Sequence, residues 1–333
     1  MAAKLAIPLV SILWAASLGW AQQTLAERLI EAGHWKRART IVEARVREAP
    51  NDPLAYLLLS QIRNAFGDHT APLQLAERAV ALDGRTARYH RQLAEVLGVT
   101  AQHANVVQQL FLARRFQKEI DTALALDPRD VQALRDLLEF YLLAPGIAGG
   151  DPRKAISTAE RIAAVDAPEG FLARARVAPP AEIEALLRQA AQAQPSSYRA
   201  RIALAQFYLA PAHSNPGAAE SAAKQAMDLD GGRAEAYAIL AGIYADGTGG
   251  SDLDGFLTGA RRGVPDDLAP YYRAAEHLIG AGRDAARAER YLRAYLAQEP
   301  EGNEPTAADA ARLLDRLRHG GTETSAVRQR SAH

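Results

Sequence analysis

The chain contains no cysteine. That removes disulfides, thiolate catalysis, cysteine-ligated zinc and lipidation of an N-terminal cysteine, and it leaves the redox compartment open. Aromatic side chains are scarce, at 6% of residues, while 48% are hydrophobic. The apolar content is therefore carried largely by Ala, the best helix former and the residue that lets helices approach closely. Neither charge sign is in excess, with 39 Lys and Arg against 39 Asp and Glu. A basic footprint for nucleic acid is absent, as is an acidic tail that would suggest a charge-driven partner. Signatures of chemistry are missing too. There is no metalloprotease His-Glu pair, nucleophile elbow, phosphate loop or dinucleotide fingerprint. The eight histidines are scattered, and Glu276 and His277, though adjacent, fall on different faces of a helix. No cofactor, no metal and no enzymatic activity are expected. Two Gly-rich stretches, 144–151 and 247–255, read as loops between helices rather than as ion sites.

Downstream of residue 18 no apolar run approaches the ~20 residues of a membrane span. At the N-terminus Lys4 precedes the uncharged run Leu5 to Leu18, and Gly19-Trp20-Ala21 places small residues at the positions a signal peptidase reads. Residues 1–21 are read as a secretory signal cleaved after Ala21, which predicts a periplasmic or secreted protein. An uncleaved anchor is the alternative.

What the sequence has in abundance is helical periodicity. Tyr237, Leu240, Ala241 and Tyr244 recur at 3- and 4-residue steps, as do Leu134, Leu137, Leu138 and Tyr141, and Tyr271, Ala274, Ala275 and Leu278. Each such face is followed by a second helical stretch and a breaker. The breakers Pro50, Gly84, Pro128, Ala167, Pro195, Gly231, Pro265 and Pro300 are separated by 34, 44, 39, 28, 36, 34 and 35 residues. The third pair is expected to have a long connection. The fourth carries the loop 144–151, whose Ile147 is expected to tuck back onto the array. Thr306 and Asp309 spell a capping box, with Asp for Glu, opening a last helix to Arg318. Beyond it, residues 319–333 are small and polar and are read as a disordered tail.

This pattern resembles the tetratricopeptide repeat family, whose period is about 34 residues. Small residues stand at the family's close-packing positions: Ala26 and Ala38 in the first repeat, Ala205, Ala219 and Ala226 in the sixth, Ala241 and Ala260 in the seventh. Arg45 and Leu253 depart from that rule. The seventh repeat, with Gly247-Thr-Gly-Gly and Gly263, also resembles a Sel1-type variant. The resemblance implies an all-α right-handed solenoid of about eight helix-turn-helix pairs over residues 22–318. It also implies that the first helix of each pair lines a concave groove that takes a protein or peptide. Carried onto this chain, the groove residues are Asn64, Arg88, Arg91, Glu95, Arg135, Glu139 and Gln206, with Arg88, Arg91 and Arg135 as a basic cluster. The function so implied is an exported interaction scaffold or adaptor in the cell envelope. A membrane-tethered assembly chaperone is the second reading, and an enzyme of unrecognised type the third. The oligomeric state is left open.

Overall fold

The computed structural model describes residues 25–68, 70–247, 252–302 and 305–330; the segment read as a signal and His69 lie outside this range. Every element in it is helical. Eight antiparallel pairs follow in order: α1 (25–31) with α2 (Trp35–Glu48), α3 (Pro53–Ala65) with α4 (Ala71–Leu82), α5 (Ala87–Gln102) with α6 (Val106–Leu126), and α7 (Val131–Leu143) with α8 (Pro152–Val165). Then come α9 (Ala167–Val177) with α10 (Pro180–Ala193), α11 (Tyr198–Leu209) with α12 (Pro216–Leu229), α13 (Ala234–Ala245) with α14 (Leu253–Gly263), and α15 (Ala269–Gly280) with α16 (Ala285–Leu296). A final helix, α17 (Ala307–Arg330), packs on α16 and α15. It continues past Gly320, where composition alone pointed to disorder.

The helices start where polar caps allow. Asp52 accepts from the Leu54 and Ala55 amides, Asp130 from Ala133, Ser197 from Ala200 and Asn215 from Ala218. Pro53, Pro152, Pro180 and Pro216 open their helices, where a missing N–H costs nothing. The Thr306 box forms as expected: the Asp309 amide donates to Thr306 Oγ1 at 2.9 Å and the Thr306 amide to Asp309 Oδ2 at 3.0 Å.

Neighbouring pairs stack, and the core follows the chain. One cluster runs from Ala26 to Tyr89, the next from Ala76 to Ala173, and the last from Leu172 to Leu313. Ala38, Ala205, Ala219, Ala226 and Ala241 are wholly buried, so the small-residue positions do bring helices together. Leu253, in a small-residue position, is buried too. Arg45 instead turns to the cap residue Asp52, at 3.2 Å.

The third pair differs from its expectation. Its connection is short, spanning only residues 103–105, and the extra length lies in the helices, 16 residues in α5 and 21 in α6. An Asn105–Gln108 capping box starts α6. The 144–151 loop is tied down by Asp151 N–H to Tyr141 O at 3.0 Å and by a close approach at Gly150, where a Cβ would lie 1.8 Å from Ala144 O. Ile147 does not tuck back; its side chain stays exposed.

The array also returns on itself. The start of α2 meets the segments that follow α14 and α16. Lys36 N–H donates to Glu301 Oε1 at 2.6 Å, and Lys36 Nζ reaches Asp266 O and Glu299 O, each at 2.7 Å. Arg39 grips Glu299 with two bonds of 2.9 and 2.8 Å, and Arg37 pairs with Asp266. His34, the N-cap of α2, offers no side-chain cap, so Glu301 satisfies that helix end from the opposite end of the array. Glu301 is buried, and burial pushes its carboxyl up despite the bonds from Lys36.

Candidate functional site

The first helices of the pairs, α5 through α15, form the wall of a trough. Four cavities follow one another along it and share lining residues. A cavity of about 460 Å³ lies between α5, α6 and α7. Asp136 and Glu139 join it to a small one of about 80 Å³. Leu172, Arg176 and Arg199 join that to one of about 780 Å³, and Gln206 and Glu235 lead on to one of about 400 Å³ beside α15. The wall residues recur at helical steps, Gln132, Arg135, Asp136 and Glu139 on α7, then Arg199, Ile202 and Gln206 on α11.

The trough is floored by paired charges and amides. Arg176 grips Glu139 through two bonds of 2.7 Å, so two consecutive first helices are joined by a bidentate pair. Glu169 and Arg199 join the next two. Gln206 donates to Glu235 at 2.9 Å. On α7, Arg135 donates to Gln132 Oε1 and Gln132 donates to Asp136 Oδ1, both at 2.8 Å. Arg91 stands 3.9 Å from Glu95 and 3.6 Å from Asp130.

Ringed by the third and fourth pairs, two carboxyls resist ionisation. Glu95 is raised from its ordinary 4.5 to about 7, by burial first and by Asp136 second, with Arg91 opposing. Asp136 is raised from 3.8 to about 6, by burial, against Arg91 and the Gln132 bond. Arg135 is pulled down by burial and then by Arg199.

Of the residues named from the sequence, Arg135 and Glu139 line the small cavity, Glu95 and Glu139 the first, and Gln206 the two further ones. Arg91 stands beside Glu95. Arg88 is elsewhere: it bonds Glu27 of α1 at 2.6 Å. Asn64 sits in the last turn of α3, away from these cavities. The three arginines do not form an open basic cluster, because each is met by an acceptor: Arg88 by Glu27, Arg91 by Glu95 and Asp130, Arg135 by Gln132. Like charges on a half-enclosed wall are costly unless paired. Projecting groove positions along the sequence misses Arg176 and Glu169, because the short fifth pair falls out of step with the repeat. Their signal was available: Arg176 follows Glu139 by 37 residues, about one repeat. Among the described residues no three His, Asp or Glu side chains group as a metal site.

Comparison with known proteins agrees with this architecture. Residues 19–62 match the family model described as Tetratricopeptide repeat. No curated protein matches the chain in sequence. Among solved structures, the thermophilic TPR protein TTC0263 of Thermus thermophilus superposes with a TM-score of 0.50 at 20% identity, over 55% of this chain and 95% of that one. Yeast Tom70 superposes with a TM-score of 0.55 at 11% identity, over 86% of this chain. The alignment spans 59% of the Tom70 chain. The fold is an all-α helical-repeat solenoid of the tetratricopeptide type.

Proposed function

We propose that this chain is a protein–protein interaction scaffold that holds a partner polypeptide along the trough, and that it works in the cell envelope after export. The observation that carries the reading is the continuity of the trough across six successive first helices. Its charged side chains are already held in place by bonds between helices, so few need to be ordered when a partner arrives. A solenoid offers such an extended concave surface because each repeat turns slightly on the last. Export rests on the Leu5–Leu18 run and the small residues before Gln22. No residue constellation in the trough assigns a reaction, and the scaffold reading needs none.

The test is a cross-linked capture from an envelope fraction, comparing the intact chain with an Arg135→Glu, Arg176→Glu, Arg199→Glu variant. A partner held by the intact chain and lost from the variant, with helicity kept, supports the trough. A partner held equally by both places binding outside it. Sequencing the N-terminus of the recovered chain tests export: a start at Gln22 supports cleavage, and retention of residues 5–18 supports a tethered chaperone instead.

A further inference from the structure

The longest helical pair builds a second kind of surface. The 16 residues of α5 and the 21 of α6 exceed the 11–14 of the helices from α7 to α16. Their extra turns, the end of α7 and the anchored 144–151 loop enclose the cavity of about 460 Å³, a volume in the range of ligand pockets. Its walls are mainly apolar, with Leu97, Leu112, Phe116, Phe140 and Leu143. Phe116 and Phe140 stack at 4.6 Å and stiffen the base. Further large apolar side chains stand in solvent on the first turns of α6: Val106 is 69% exposed, Val107 77% and Phe111 63%, the last two on the face turned away from Gln109, Leu112 and Phe116 of the cavity wall. Leu143 is 71% exposed and Ile147 82%, the latter on a turn that packs against α6. Leu143 is the one that also lines the cavity, an exposed apolar group at the mouth of an apolar pocket, as interaction sites present.

The polar groups on the cavity wall have a one-sided character. They are the carboxylates Glu95, Asp136 and Glu139 and the amides Gln102 and Gln109, with no Lys, Arg or His among the lining residues. Glu139 is occupied by Arg176, Asp136 Oδ1 accepts from Gln132, and Glu95 has Arg91 only at 3.9 Å. Asp136 Oδ2 is buried and accepts no hydrogen bond among the described residues. A purely apolar or anionic occupant would strip water from Glu95 and Asp136 without replacing it. A cation would replace it.

We propose that this cavity docks a partner peptide whose apolar side chains, spaced i and i+4 on a helix, fill it, and whose neighbouring Lys or Arg reaches Glu95 and Asp136. The proposal rests on the partner-binding reading of the chain, but it assigns the apolar anchor to the first cavity, at the third pair, rather than to the polar stretch of the trough from α7 to α13. The fit follows the helix-in-groove mode, in which apolar anchors supply affinity and flanking charge supplies selectivity.

The probes are two fluorescein-labelled helical peptides of about fourteen residues, some four turns. Both carry Leu at i and i+4, one with flanking Lys and the other with Glu at the same places. Anisotropy titrations against the full chain should show the Lys peptide binding at least about tenfold more tightly than the Glu peptide. Leu143→Arg, a change at an exposed site, should weaken the Lys peptide about tenfold with far-ultraviolet circular dichroism unchanged. Glu95→Gln should narrow the gap between the two peptides. Equal binding of both peptides, binding of neither, or indifference to Leu143→Arg overturns the proposal. So does adsorption of the chain to phosphatidylglycerol vesicles that is lost in Phe111→Ser, without peptide binding: the exposed apolar start of α6 is then a lipid contact. The Arg135→Glu, Arg176→Glu, Arg199→Glu variant separates the two readings. Peptide binding kept with partner capture lost supports both. No peptide binding while the trough still captures a partner sinks the cavity alone.

Discussion

Glu95 and Asp136 show what a concave wall does to a carboxyl. Burial pushes both carboxyls up, and Asp136 adds to the cost of ionising Glu95. The native Glu95 carboxyl keeps its proton up to about pH 7, whereas in the unfolded chain it loses it near 4.5. Between those values the folded state binds more protons, so stability falls as pH rises through the window and is lowest above it. Chemical denaturation at pH 5 and pH 8 should show the intact chain less stable at the higher pH. Glu95→Gln should flatten that difference; an unchanged slope would mean the carboxyl is not the source. The residue scale is also where sequence reading stops short. Projecting groove positions finds Arg135, Glu139 and Gln206, because helical spacing fixes which way a side chain leaves its helix. It cannot see that Arg88 is drawn to Glu27, since that pairing depends on how two repeats are turned against each other.

At the scale of helices, boundaries are legible where a cap or proline marks them. The spans 71–82, 131–143, 152–165, 198–209 and 216–229 are readable as they stand, each flanked by such a signal. The junction of the fourth and fifth pairs is harder to read, because the single residue Asp166 both ends α8 and caps α9, which starts at Ala167. The third pair misleads for a different reason. Gly98, Val99 and Thr100 have weak helix propensity and resemble a loop, yet they continue α5, with Gly98 close against Phe116 of α6. Gly170 is a sharper case of packing over propensity: a Cβ there would lie 2.4 Å from the Ala163 backbone of α8. Gly170→Ala should therefore destabilise the chain by about 1–3 kcal/mol, despite its better helix propensity, as read by urea unfolding. A stabilising result would show that α8 and α9 can part. Leu240, fully buried in α13, should cost about 2–5 kcal/mol as Leu240→Ala in the same assay.

At the scale of the whole molecule, the repeat period is enough to give the solenoid, because stacking follows from chain order alone. The junction between α2 and the 299–302 segment is not readable. It joins residues 265 apart in sequence, and no local pattern encodes such a meeting. Glu301→Ala removes the acceptor for the Lys36 amide and should cost about 0.5–2 kcal/mol, with Glu301→Gln costing less because an amide oxygen remains. Thermal melts of the two variants check this; equal losses would assign the effect to charge rather than to the cap. The junction has one more consequence. In an open array each terminal repeat has a single neighbour, and melting begins there and works inward. Here the first and eighth repeats border one another. The one-dimensional lattice thereby gains a polar clasp of hydrogen bonds and ion pairs between its first and eighth repeats. Fraying at either end must then break this clasp as well as the stacking contacts of the terminal repeat, and the molecule should unzip more sharply than an open solenoid of the same length.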